Sequence, residues 1–134
     1  MLGEFFAAAT IDEALVEDGP FNRYETVTAK TVSAVSIATL GEILGIGTYD
    51  EVYELVDQGL VAEHGEAGVD VVPETLRDAL ASEDDLARVA ERWHDTDEMR
   101  EWRFEDVVQV VTDLAALARR ACTEHAQLWF WWSL

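Results

Sequence analysis

The spacing of apolar positions changes several times along the chain, and each change predicts an element. Leu2 to Ala8 is a short apolar run, Phe5 and Phe6 included, that suits a strand. Thr10-Ile11-Asp12-Glu13 reads as a capping box, in which the Thr hydroxyl accepts the amide three residues on while Glu13 reaches back. The helix it opens runs to about Glu17, because Gly19-Pro20 follows. Tyr24 to Ala29 carries the β-branched set Thr26, Val27 and Thr28, fit for a second strand.

From Val32 the period lengthens. Val32, Val35, Thr39, Ile43 and Ile46 recur at helical steps, with Leu40 and Leu44 widening the stripe, until Gly45-Ile46-Gly47 ends it. Thr48-Tyr49-Asp50-Glu51 is a second capping box and predicts a helix over Tyr49 to Asp57. Leu60 to Glu63 and Val69 to Val72 flank a Gly-containing loop and read as a β-hairpin. Pro73 starts a helix that continues from Glu74 to Ala81, and Ser82-x-x-Asp85 starts another through about Trp93.

The clearest element spans Phe104 to Glu124. Phe104, Val107, Val108, Val111, Leu114, Ala115, Ala118, Ala121 and Cys122 hold one helical face. The aromatic run Leu128-Trp129-Phe130-Trp131-Trp132 is the expected last strand, either central and sandwiched or presenting one face as an interface. Phe5, Phe6 and this run need a common apolar cover, so both terminal strands are expected in one sheet beneath the long helix. The fold class is α+β. Residues 1–134 form one domain, with a mostly antiparallel sheet of about four to five short strands and several shorter helices packed beside the long one.

Composition narrows the function classes. The chain has 134 residues, 28 of them Asp or Glu and 9 Lys or Arg, for a formal charge of −19. Such acidity lacks the basic patches that nucleic-acid phosphates and anionic membranes require, so direct binding to either is not expected. With 49% hydrophobic residues, the chain can nevertheless bury a core. A single cysteine excludes a disulfide framework and a cysteine-rich metal site. No stretch approaches the ~18 apolar residues of a membrane span. Met1-Leu2-Gly3-Glu4 lacks the basic start of a secretory signal, and a cytoplasmic location is expected.

Candidate chemistry is sparse. Gly45-Ile46-Gly47 resembles the start of a phosphate loop, but Asp50 stands where a third glycine belongs. Asp50 and Glu51 would repel the phosphates, so the glycines read as a helix end. His94-Asp95-Thr96-Asp97-Glu98 offers one imidazole and three carboxylates, the best metal candidate in the chain. Counted from Asp95, however, the sixth residue is Arg100, where a calcium loop needs glycine. The plainer reading is a helix ending at Trp93-His94 and an N-cap for the next turn. His64, in the hairpin loop, and His125, near the end of the long helix, have no sequence-adjacent partner for nucleophilic catalysis. Cys122 shares a stripe with Ala115 and Ala118 and is expected to be buried, reduced and unreactive. No catalytic residue and no cofactor are assigned.

Charge distribution is more distinctive. Between Lys30 and Arg77 there is no basic residue, while Glu42, Asp50, Glu51, Glu54, Asp57, Glu63, Glu66, Asp70 and Glu74 supply nine negative charges. From Arg88 to Arg103, by contrast, arginines are interleaved and can pair locally. An uncompensated field speeds association with a basic partner, and equally it provides solubility or tolerance of high salt.

The stretch from Val71-Val72-Pro73-Glu74 through Glu91-Arg92-Trp93 and Leu114-Ala115-Ala116-Leu117-Ala118-Arg119-Arg120-Ala121 to Leu128-Trp129 resembles small acidic proteins of actinobacterial type. Its helix-then-strand ending is similar to that of YfbM-like proteins. The resemblance implies that ending and supplies no activity and no catalytic residue.

The function expected is a non-enzymatic acidic protein-binding module, an immunity or antitoxin-type inhibitor of a basic partner such as a nuclease toxin. Its expected contacts are Glu51, Glu54, Asp57, Glu63 and Glu66, with Tyr49 or Tyr53 as an aromatic anchor. Alternatives are a DNA-mimic inhibitor of a nucleic-acid-binding protein, a small metal- or ligand-binding enzyme using His94, Asp95, Asp97 and Glu98, and a protein whose acidity reflects salt adaptation. A homodimer through the aromatic C-terminal strand is a further expectation.

Overall fold

The computed structural model describes residues 2–10, 14 and 25–134. Most of the first predicted helix, the Gly19-Pro20 break and Tyr24 lie outside these residues. Ala14 is helical, as expected there, and its N–H donates to the Thr10 carbonyl at 3.1 Å.

In chain order the described elements are β1 (Leu2–Ala8), β2 (Val27–Thr28), α1 (Ala34–Ile43), α2 (Tyr49–Asp57), β3 (Leu60–His64), β4 (Ala67–Val71), α3 (Glu74–Ser82), α4 (Leu86–His94), α5 (Phe104–Thr123) and β5 (Gln127–Ser133). Local chemistry sets their ends. Helix α1 stops at Leu44 because Gly45 takes a left-handed φ of 80°, which an L side chain resists. Helix α2 starts at the predicted capping box, with both reciprocal bonds formed between Thr48 and Glu51. Several boundaries differ from the sequence reading. Strand β2 covers only Val27–Thr28, β3 runs on through His64 and β4 begins at Ala67, so the hairpin loop shortens to Gly65-Glu66. The α3–α4 junction also moves. Ser82 closes α3, its hydroxyl donating back to the Asp78 carbonyl at 2.8 Å, and Asp85 caps α4 by accepting the Arg88 amide at 3.1 Å. A serine that bonds backwards satisfies the preceding turn rather than opening the next.

The strands form one antiparallel sheet in the order β2-β1-β5-β4-β3. Both chain ends therefore lie in its middle, β1 pairing β5 from Leu2↔Ser133 to Ala8↔Gln127. Strand alternation then splits the aromatic run between two faces. Leu128 and Phe130 enter the main core with Phe5 on β1 and the inner faces of the helices, including Val107, Val111, Leu114 and Ala118 of α5. Trp129 joins Phe6, Ala8, Ala14 and Val69 in a second cluster. The last strand is thus central in the sheet, with buried side chains on both of its faces. Strand β5 has β1 on one edge and β4 on the other.

The second face also buries Glu4, only 2% exposed, whose carboxylate accepts the Thr28 hydroxyl at 2.8 Å. Cys122 departs from its expected full burial. It sits half-buried at the margin of the α5 stripe, with its thiol 3.5 Å from Asp78 Oδ1. A residue one position past the fully buried Ala121 is turned about 100° around the helix, enough to leave the core.

Candidate protein-binding face

The acid-only segment folds into α2 and the β3–β4 hairpin. Helix α2 turns Val52 and Val56 into the core, and its remaining face exposes Asp50, Glu51, Tyr53, Glu54 and Asp57. The hairpin adds Glu63 at the end of β3 and Glu66 in the turn, where Gly65 adopts a φ of 61°. Of the nine carboxylates, Glu74 alone has a Lys or Arg partner among the described residues, Arg77 at 3.2 Å. Glu42, Asp50, Glu51, Glu54, Asp57, Glu63, Glu66 and Asp70 have none.

Two of these eight cap the start of α2. Glu42 Oε2 accepts the Tyr49 amide at 2.8 Å, and Glu51 Oε1 accepts the Thr48 amide at 3.1 Å. Both satisfy donors at the start of α2, where negative charge is favoured. Hydrogen bonds from the Thr48 backbone and then its hydroxyl hold the Glu51 carboxyl below its ordinary value. Glu51 is therefore tied into the cap, whereas Glu54, Asp57, Glu63 and Glu66 remain exposed.

The site residues gather at two ends. At one, the Tyr49 and Tyr53 rings stack with centroids 6.0 Å apart. Loss of solvent raises the Tyr49 phenol, with Tyr53, Glu98 and Asp50 adding to the shift. Glu98, from the His94–Glu98 segment, thereby joins this end. At the other end, Asp57 and Glu63 approach Asp70 of β4. Burial pushes the Asp70 carboxyl up, a hydrogen bond from Trp132 works against this, and the two neighbouring carboxylates raise it further.

Asp70 belongs to a cavity of about 330 Å³ lined by Ala34, Val56, Asp57, Leu60, Asp70, Phe130, Trp132 and Leu134. The Trp132 indole N–H donates to Asp70 Oδ1 at 3.2 Å. Trp132 can lie there because its register partner on β4 is Gly68, where an added Cβ would fall 2.2 Å from the ring. Leu60 and Leu134 are 44% and 73% exposed, so an apolar rim surrounds the opening. Sequence reasoning named Asp57 as a contact, counted Asp70 only among the acids of its segment and Trp132 only within the aromatic strand, and did not select Leu60 or Leu134. The available signal was Asp70 itself, an acid between the apolar positions Val69 and Val71 of a strand.

His94 to Glu98 does not assemble as a metal centre in the described residues. A ring nitrogen of His94 lies 2.9 Å from the Trp102 carbonyl, Asp97 pairs with Arg100 at 2.8 Å, and Asp95 ends α4. Among the described residues no three His, Cys, Asp or Glu side chains converge to hold a metal ion. A larger groove of about 770 Å³ between β2 and α5 is also acidic on balance, with Glu101, Asp106 and Asp113, but unlike the acid-only segment it carries a cation of its own, Lys30. No described helix is long and apolar enough to cross a membrane.

Comparison of the chain with protein-family models, with curated proteins and with solved structures finds no match.

Proposed function

We propose that the chain is a non-enzymatic acidic binding module, of the immunity or antitoxin type, that covers a basic surface on a protein such as a nuclease. One observation carries this reading: eight carboxylates without a Lys or Arg partner among the described residues share α1, α2 and the hairpin with exposed Tyr53 and Leu60. Charge of one sign beside exposed aromatic and aliphatic side chains suits a surface that steers and then anchors a cationic partner. A solubilising surface needs the charge but not the exposed apolar side chains.

Association rates test the proposal. The wild type and the triple variant Glu54→Gln, Glu63→Gln, Glu66→Gln are compared against a basic partner recovered by affinity capture, over a salt series. The variant associates more slowly, most strongly at low salt where screening is weakest. Equal rates at every ionic strength would leave the charge as a solubility device.

A further inference from the structure

The cavity beside Trp132 has a more specific chemistry than the acidic face around it. Its floor and walls are apolar, from Val56, Leu60, Phe130 and Trp132, and the charged side chains that line it are Asp57 and Asp70. Asp70 is fixed through Oδ1 by the Trp132 indole. Its second oxygen has no hydrogen bond among the described residues and is not cut off from solvent. Neither aspartate has an ion-pair partner among the described residues, and burial already disfavours the charge on Asp70.

We propose that this cavity receives an arginine side chain of the basic protein partner. This rests on the reading that the chain binds such a partner, and it names the anchor. A guanidinium fits the lining better than an ammonium for three reasons. It is weakly hydrated and so loses less on entering an apolar cavity. Its planar fork can bond two carboxylate oxygens at once. Its flat face can stack on an indole or a phenyl ring. The cavity, at about 330 Å³, has room for the whole side chain. Leu60 and Leu134 would close over its aliphatic stem, which is how long cationic side chains bury their carbons.

The test uses the intact protein and small probes. The indole N–H signals of the isotope-labelled chain are followed in a titration with doubly blocked arginine, and the Trp132 signal is assigned with Trp132→Phe. Blocked citrulline, which keeps the shape but lacks the charge, and blocked lysine are the controls. Arginine shifts the Trp132 signal saturably, lysine shifts it less, and citrulline leaves it in place. Asp70→Asn retains an oxygen for the Trp132 indole and loses the arginine response, while the other indole signals report that the fold is intact. Asp57→Asn, on the cavity rim, weakens the response.

Absence of a Trp132 shift with arginine overturns the proposal. So does an equal shift with citrulline, which would mark a merely apolar hollow, or a response that survives both asparagine variants. These outcomes are separable from the broader reading, because Glu54, Glu63 and Glu66 do not line the cavity. Salt-dependent association that persists without a Trp132 response would remove the arginine anchor and keep the acidic face.

Discussion

At the residue scale, two carboxylates of one segment behave oppositely because their surroundings differ. Glu51 accepts bonds at a helix start and is held below its ordinary value, so it adds stability above pH 4.5 that is lost as pH falls through its lowered pKa. Thr48→Ala removes the hydroxyl half of this box and should cost about 0.5–2 kcal/mol in denaturant unfolding at neutral pH. Asp70 is raised by burial. Its contribution is full below pH 3.8, where both states are protonated, and is lost as pH rises through the folded value. Asp70→Asn should remove that loss, so the variant gains on the wild type as pH climbs through the same window. A variant that loses stability relative to the wild type over that range would contradict the assignment. Cys122 is a third case. Loss of solvent raises its thiol, the bond to Asp78 adds to this, and nearby Arg77 opposes it. Native Cys122 should therefore react with a disulfide reagent more slowly than a free cysteine at the same pH, despite its partial exposure.

At the element scale, the legible features were those written in short stretches of chain. The Thr48 box, the Gly45 stop, the hairpin and the 20-residue helix α5 all follow from residues within a few positions of one another. The pairing of β1 with β5 could also be argued, because two apolar runs at opposite ends of the chain required one cover. Strand order could not. That β4 lies against β5, with β3 outside it, depends on contacts between residues about sixty positions apart, such as Asp70 with Phe130. The cavity inherits this obscurity, since Asp57, Asp70 and Trp132 meet only after the sheet is assembled. Gly68 shows how tightly that assembly is specified. Gly68→Ala places a methyl group 2.2 Å from Trp132 and should cost about 1–3 kcal/mol through overpacking. Chemical denaturation measures the loss, and a displaced Trp132 indole signal should accompany it.

At the scale of the whole molecule, the fold separates two kinds of surface. Helices α3 to α5 and the loop between α4 and α5 carry arginines that pair with nearby acids, as in Arg77 with Glu74 and Asp78, Arg100 with Asp97, and Arg120 with Glu124 and with Glu25 ahead of β2. Helix α2 and the hairpin have no such compensation among the described residues, and their charge adds rather than cancels. Self-repulsion is the consequence in the free protein. The Glu54→Gln, Glu63→Gln, Glu66→Gln variant should therefore be at least as stable as the wild type at low salt, with a gain of no more than about 0.5 kcal/mol per site expected at exposed positions. Stability kept while association slows would mark these residues as serving binding rather than folding. The most direct test of the account is a map of the bound surface, obtained by titrating the isotope-labelled chain with the captured basic partner and following its backbone amides. The account predicts that the perturbed amides cover α2, the β3–β4 hairpin and the end of β5. A footprint on the arginine-bearing helices, with α2 and the hairpin unchanged, would contradict it.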